Sequence, residues 1–408
     1  MTRFIIFILI LLVLDIYAYQ AFRFLVKNRW GMAIYFIITA FIIGGLFYQF
    51  STGDRRNWST TTHFFIVAFV IMLVGKIVLI ASMFGEDVFR FLEGLYYKLS
   101  GKSTSYVLPS RRKFISQLAL GLAAIPFAGI LYGVFKGRYN FKVLNYTLHF
   151  EDLPEAFDGY RITQISDIHS GSFDNKEKVE YAIDLINKQA SDAILFTGDM
   201  VNNEASEMEP WKESFGRLQA KDGKFSVLGN HDYGDYVPWE SRVAKAANLR
   251  RLKEIQKEMG FDLILNDTRF LERGNERIAL VGVENWGTGG FKKAGDLNKS
   301  ISKVRSNDFK VLMSHDPSHW EHEVIRHKEH FHLTLSGHTH GMQFGIEIPG
   351  WFKWSPVKWK YKYWAGIYEE MGQYINVNRG FGYLAFPGRV GIWPEITVIE
   401  LRKGTKTV

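Results

Sequence analysis

Five short stretches hold the side chains best suited to chemistry: Asp167-Ile168-His169, Gly198-Asp199, Gly229-Asn230-His231-Asp232, Ser314-His315-Asp316-Pro317 and Gly337-His338-Thr339-His340. Each follows a short apolar run that reads as a buried strand, such as residues 331–335 before the last of them. Imidazoles, carboxylates and an Asn carbonyl are N/O ligands of the kind that suit manganese, iron or zinc. A single residue separates His338 from His340. On a continuing strand the two rings share a face; on a turn after Gly337 they diverge and reach two centres. Alone, the pair reads equally well as a solvated loop. Four other ligand-bearing strand ends change that, because a sheet holds such loops together where α/β folds place their sites. The ligand chemistry fits two divalent ions side by side, with Asp199 as the bridge, one carboxylate oxygen to each ion. Ions about 3.5–4 Å apart activate one bridging water and clamp a phosphoryl group for in-line displacement.

The elements that position these residues begin at Phe141, where the chain takes on the pattern of an α/β domain. Strand-like runs occupy residues 141–150, 161–166, 193–196, 225–228, 278–283, 310–313, 373–377 and 395–401, and residues 175–188 carry helical periodicity. Upstream the chain is different. Residues 4–19 (extending toward Phe24), 32–50, 63–84 and 114–135 are apolar enough for bilayer-spanning helices of about 20 residues. No small-residue cleavage pattern follows the first, so it reads as a span and not as a cleaved signal. Lys76 lies inside the third, where charge is expensive. It reads either as a proton or lipid site or, more simply, as a lysine facing the bundle interior. Residues 85–110 are mixed, with Phe89, Leu92, Tyr96 and Leu99 near helical spacing, and are expected to lie along the inner membrane surface.

Positive charge sets the orientation. The first loop holds Arg23, Lys27 and Arg29, and the third holds Arg90, Lys98, Lys102, Arg111, Arg112 and Lys113. The second has only Arg55 and Arg56, and the N-terminus only Arg3. Loops one and three are therefore expected in the cytoplasm and everything after the fourth span outside, with Lys136, Arg138 and Lys142 in weak opposition. Ser110-Arg111-Arg112-Lys113-Phe114-Ile115 resembles a twin-arginine export motif in an internal position and reads equally well as an ordinary positive anchor. Both readings point the C-terminal domain outward.

With 408 residues the chain has room for more than one domain. It has no cysteine, which excludes disulfides, thiolate zinc sites and cysteine nucleophiles. The net charge of +8 invites nucleic acid, but much of the excess flanks apolar segments or falls in one aromatic stretch, so a membrane surface is the better acidic partner. In that stretch, Trp351 to Trp364, aromatic residues alternate with Lys353, Lys358, Lys360 and Lys362. Stacking on single-stranded nucleic acid, seating at a membrane interface and packing on the parent domain are all open to it. The upstream spans favour the interface. Its place beside the ligand-bearing turn suggests a lipid-linked or amphiphilic phosphoester. His319, His322, His327, His330 and His332 belong to or adjoin a polar segment that reads as an exposed helix, so they are taken as surface groups.

Taken in order, Asp-x-His, Gly-Asp, Gly-Asn-His-Asp, His and Gly-His-x-His resemble the motifs of the calcineurin-like metallophosphoesterase superfamily over residues 141–402. Ser166-Asp167-Ile168-His169-Ser170-Gly171 and His315-Asp316-Pro317 resemble its bacterial membrane-anchored branch, which includes twin-arginine-exported phosphoesterases and relatives of UDP-diacylglucosamine pyrophosphohydrolases. The four apolar segments make residues 1–135 a four-helix transmembrane domain; after a connector and first strand at 136–158, the resemblance implies an α/β metallophosphoesterase domain at 159–404 built as a two-sheet β-sandwich flanked by helices. It implies that Asp167, His169 and His340 bind one metal, that Asn230, His315 and His338 bind the other, and that Asp199 bridges. His231 would stand beside the metals, hydrogen-bond to the phosphate and protonate the leaving oxygen, with Asp232 a candidate to orient its ring. The phosphoprotein-phosphatase branch extends the second motif with Asp and Arg. Here Gly198-Asp199-Met200-Val201-Asn202-Asn203 departs from it and leaves His231 without that carboxylate partner. The implied protein is a multi-pass membrane phosphoesterase with two divalent ions, an extracytoplasmic catalytic domain and membrane lipids as partners. It would hydrolyse a phosphoester or pyrophosphate by attack of a metal-bridging hydroxide. A non-catalytic membrane sensor retaining the metal fold, and a nuclease or nucleotide phosphodiesterase, are the competing readings.

Overall fold

The computed structural model describes residues 2–23, 26, 28–53, 56, 58–101, 109–348 and 350–405. Phe24, Lys27, Arg55 and Lys102 of the expected spans and loops lie outside the described residues, as do the side chains of Arg3, Arg111 and Arg112. The chain divides into two compact units, Met1–Tyr132 and Gly133–Val408.

Four helices dominate the N-terminal third: α1 (Thr2–Arg23), α2 (Arg29–Thr52), α3 (Thr60–Leu99) and α4 (Pro109–Phe135). The Asn28 and Ser59 side chains start α2 and α3 by accepting backbone N–H groups that the first turn would otherwise leave unpaired. Among the described residues, α2, α3 and α4 from Lys113 onward are long and apolar enough to cross a membrane. Helix α3 runs for 40 residues. That is about 60 Å, roughly twice the hydrocarbon thickness of a bilayer. Residues 85–99 are thus no separate surface-lying helix. They continue the helix that holds the expected third span, with no proline to interrupt it.

Lys76 faces the interior of this unit. It forms an ion pair with Asp15 of α1 and donates to Thr39 Oγ1 of α2 at 3.0 Å, while Tyr35 OH donates to Asp15 Oδ1 at 2.9 Å. Both charged residues are buried, which is tolerable in such a setting only because they pair. Asp15, which also sits in an apolar segment, supplies a counter-charge that reading the third span alone leaves unnamed.

The second unit holds fourteen strands among the described residues. They are β1 (Lys142–Phe150), β2 (Tyr160–Ile165), β3 (Ala193–Phe196), β4 (Gly223–Ser226), β5 (Phe261–Leu263), β6 (Asp267–Arg273), β7 (Glu276–Gly282), β8 (Phe309–Met313), β9 (Leu333–Ser336), β10 (Ile346–Ile348), β11 (Phe352–Trp354), β12 (Gly366–Glu370), β13 (Gln373–Val377) and β14 (Glu395–Lys403). One six-stranded sheet runs β1-β14-β2-β3-β4-β5 and the other runs β12-β13-β9-β8-β7-β6, with β10 and β11 forming a separate ribbon. Strands β2 to β5 are parallel to one another, as are β7, β8, β9 and β13.

Strand β3 shows how the layers form. Ala193 and Leu195 enter the core between the sheets with Leu280, Val311 and Leu333. Ile194 and Phe196 point the other way, against Val179 and Ile183 of α5 (Lys176–Asn187) and Leu252 and Ile255 of α7 (Arg242–Glu258); the short α6 (Lys212–Gly216) adds Phe215. Alternation along a strand buried on both faces leaves an unbroken apolar run in the sequence. Trp320, Val324 and Phe331 cover the outer face of the second sheet. The fold is therefore a two-sheet sandwich flanked by helices.

Two histidines expected at the surface are buried. The helix Pro317–His322 is short and packs inward, so His319 is fully enclosed, stacked on Trp286 and 2.8 Å through Nδ1 from Ser314 Oγ. His332 is stacked on Phe309, with Nε2 2.6 Å from Asp152. His322 and His330 are exposed and His327 half-buried.

Candidate metal centre

The loops that follow β2, β3, β4, β8 and β9 bring the five motifs together. Two glycines make this possible for different reasons. Gly198 has φ of 98°, and a Cβ there would lie 2.5 Å from the Gly229 nitrogen and 2.9 Å from His315 Nδ1. Gly337 has no such φ; its role is clearance, since a Cβ would lie 1.9 Å from Ser166 Oγ and 2.2 Å from Asp167 Oδ2. The left-handed turns fall instead on the ligand candidates themselves: Asp167 (φ 50°), His169 (48°), Asp199 (61°), His338 (70°) and His340 (50°). That conformation is strained for residues with a Cβ and clusters at functional sites.

All seven predicted ligands converge. Asp167, His169 and His340 form one group and Asp199, His315 and His338 a second, with the donor atoms of each group within 4.8 Å of one another. In the first, His169 Nε2 lies 3.0 Å from His340 Nε2, which is 3.2 Å from Asp167 Oδ1. In the second, His315 Nε2 lies 3.1 Å from Asp199 Oδ2 and 3.3 Å from His338 Nδ1, and Asn230 Oδ1 is 2.8 Å from that same nitrogen. Asp199 Oδ2 is also 3.6 Å from His169 Nε2, whereas Oδ1 accepts the His231 backbone N–H at 2.8 Å. One oxygen thus faces both groups, in place of the expected one oxygen per group.

The donor set fits divalent ions. Imidazole nitrogens, carboxylate oxygens and the Asn230 carbonyl oxygen gather in two groups, and in their deprotonated forms they would coordinate a cation at each. A cavity of about 400 Å³ opens over these donors, with Asp199, Asn230, His338 and His340 lining it on one side and Phe291, Met342, Trp359 and Leu384 among its apolar residues.

Residues 160–342 match the family described as Calcineurin-like phosphoesterase, and residues 2–138 match one described as Probable Calcineurin-like phosphoesterase, transmembrane domain. The chain belongs to the calcineurin-like phosphoesterases. The metallophosphoesterase YkuE of Bacillus subtilis (strain 168) is 27% identical over 300 residues, covering 72% of this chain and 98% of that relative. Phosphodiesterase YaeI of Escherichia coli (strain K12) is 26% identical over 293 residues, covering 72% and 99%. A Danio rerio relative, Transmembrane protein with metallophosphoesterase domain, is 25% identical over 281 residues, covering 67% of this chain and 60% of its own length. The chain is a metal-dependent phosphoesterase with a membrane domain.

Around the donors of this phosphoesterase the electrostatics follow from burial and charge. Burial alone would lower the His315 imidazole, but the adjoining Asp199 carboxylate outweighs it and raises the ring to about 10. Burial disfavours a charged Asp199 too, yet His315 and His231 hold it well below the usual carboxylate range. His169 and His231 are both lowered, chiefly by burial.

His231 is oriented by main chain. Its Nδ1 lies 2.7 Å from the Asn202 carbonyl, which fixes the proton there and leaves Nε2 as the working nitrogen, and Tyr236 packs against the ring at 4.4 Å between centroids. Asp232 does not touch this ring. Its carboxylate accepts backbone N–H groups from Asp199 at 3.0 Å, Met200 at 2.8 Å and Gly229 at 2.9 Å, tying the second and third motif loops together.

Other supporting groups come from further away. Tyr236 OH accepts from Asn230 Nδ2 at 2.7 Å, which turns Asn230 Oδ1 toward His338. On its outer side, His338 Nε2 meets Tyr361 OH at 2.8 Å and Asp316 Oδ2 at 3.4 Å. The fully buried Arg389 lies 3.2 Å from His340 Nδ1 through its guanidinium. Asp316 and Tyr361 stand in stretches the sequence marks out; Asn202 and Arg389 carry no local signal. The aromatic insert divides in two: Val357, Tyr361 and Trp364 pack into a small core with Ile392, while Trp351 and Trp359 are 81% and 76% exposed.

Proposed function

We propose that this phosphoesterase holds two divalent ions (manganese, iron or zinc) and hydrolyses a phosphoester or pyrophosphate of an amphiphilic molecule, anchored by four membrane spans with its catalytic unit on the extracytoplasmic face. The observation that carries the two-metal reading is Asp199 Oδ2, which faces His315 Nε2 at 3.1 Å and His169 Nε2 at 3.6 Å. Asp167, His169 and His340 then hold one ion, Asn230, His315 and His338 the other, and Asp199 bridges. Bound there, the ions supply Lewis acidity, acidifying a water and drawing charge from the phosphoryl oxygens. His231 handles a proton at Nε2: with Nδ1–H donated to the Asn202 carbonyl, the ring would act there in its doubly protonated form, hydrogen-bonding to the phosphoryl group and passing the Nε2 proton to the leaving oxygen.

The amphiphilic substrate is supported by the apolar side of the cavity, where Met342 and Trp359 are largely exposed. The outward orientation is supported by the positive residues gathered in loops one and three. Full retention of the ligand set weighs against a sensor without turnover. The test uses the full-length chain in detergent, assayed for bound metal and for turnover of bis(p-nitrophenyl) phosphate with and without chelator. Asp199→Asn should lose both ions together and all measurable activity, and chelation should silence the wild type. Loss of one ion only, or activity indifferent to chelator, would refute the shared-bridge assignment.

A further inference from the structure

One cation stands in the cavity wall without an ion-pair partner among the described residues. Lys362 pairs with Glu370 and Lys353 donates to the Ala365 carbonyl, whereas Lys360 lies over two ring faces, Phe291 at 4.7 Å and Tyr361 at 5.0 Å. Both rings line the same cavity, and Tyr361 is itself bonded to His338 at 2.8 Å. Ring faces hold an ammonium in place without neutralising it. Among the residues lining the cavity, Lys360 is the one lysine or arginine, and Asp199, turned to the metal donors, is the one carboxylate.

We infer that Lys360 reads a second anionic group carried close to the scissile phosphoryl, so that the preferred substrates are phosphoesters whose organic part bears its own negative charge. This rests on the proposed phosphoesterase site. The phosphoryl charge falls to the metal donors, and an ammonium held on two rings in the wall of the same cavity favours an anion beyond that phosphoryl. The apolar remainder of the wall then receives hydrocarbon, which makes the ligand class an amphiphile with a doubly anionic head.

Three diaryl phosphates test it: bis(p-nitrophenyl) phosphate, 4-carboxyphenyl p-nitrophenyl phosphate and 4-(trimethylammonio)phenyl p-nitrophenyl phosphate. In each, the oxygen of water bonds to phosphorus and the bond to p-nitrophenolate breaks with its electron pair. One proton of water goes to the leaving phenolate and the other to the aryl phosphate. With the manganese-loaded full-length chain, the carboxylate ester should exceed the trimethylammonio ester in kcat/KM by about twofold to thirtyfold, because attraction in one and repulsion in the other each act at an exposed lysine. Lys360→Met should level the two, Lys360→Arg should keep the preference, and Lys360→Glu should invert it. Ratios within each variant cancel any loss of folded protein. A wild type without preference, or variants that leave the ratio unchanged, overturn the role of Lys360 while the phosphoesterase reading stands. A wild type that hydrolyses none of the three overturns that reading and this inference with it.

Discussion

Alanine at His231 removes a ring that stands outside both ligand groups and whose Nδ1 is already tied to the Asn202 carbonyl. The variant should keep wild-type metal content and lose about 10²–10⁴-fold in kcat, the usual loss for a positioned acid. Metal analysis and turnover on the same preparation decide it, since metal loss as deep as in Asp199→Asn would reassign the ring as a ligand. The clustered ligand candidates were legible in the sequence because ligation needs particular side chains. Asn202 was not, because it contributes a carbonyl that every residue has. Asp232 misled for the opposite reason: it is adjacent to His231 in sequence, yet its carboxylate turns to the Asp199, Met200 and Gly229 amides. Five ligand candidates also sit in left-handed backbone, at roughly 1–2 kcal/mol each for a residue with a Cβ and less for Asp. Together that is comparable to the whole stability of an ordinary domain, about 5–15 kcal/mol. The sheets must therefore hold these loops in a conformation they would not choose.

At the β10–β11 ribbon, Trp351 of the turn, Phe352 of β11 and Ile346 and Ile348 of β10 are all exposed. Exposed apolar side chains on a ribbon followed in sequence by Lys358, Lys360 and Lys362 suit an anionic lipid surface. Replacing Trp351 and Phe352 together by Ala should lower turnover of an amphiphilic phosphodiester in phosphatidylglycerol vesicles by about tenfold or more, since each ring contributes about 1.5–3 kcal/mol when buried. Hydrolysis of bis(p-nitrophenyl) phosphate in detergent should stay within about twofold, because neither residue lines the cavity. Equal losses in both assays would sink the interfacial role. Elements with a strong period were readable: residues 175–188 became α5 with Asn175 as its cap, and β3 and β13 fall where their apolar runs predict. Helix α7 was not, because only Leu252, Ile255 and Gln256 of its 17 residues are buried and its face is otherwise charged. Strand β6 pairs at the edge of its sheet through half-buried residues, so no apolar run announces it.

For the molecule as a whole, the division into an apolar third and an α/β remainder follows from composition, but sidedness rests on loop charge alone. The absence of cysteine allows a direct measurement. Tyr181 is 53% exposed on α5, and Tyr181→Cys in the full-length chain should react with a membrane-impermeant maleimide in intact cells. Labelling only after permeabilisation would place the catalytic unit in the cytoplasm. The Asp15–Lys76 pair has a further consequence on the proposed four-span topology. The ribosome makes Asp15 well before Lys76, and an unpaired Asp near mid-span costs about 2.5–3.5 kcal/mol to insert. The first segment therefore enters the membrane as a poor insertion substrate and becomes a settled one only when the third arrives with its lysine. Biosynthesis of this protein is in that sense a three-helix event, and a chain arrested between α2 and α3 should be a natural client for membrane quality control.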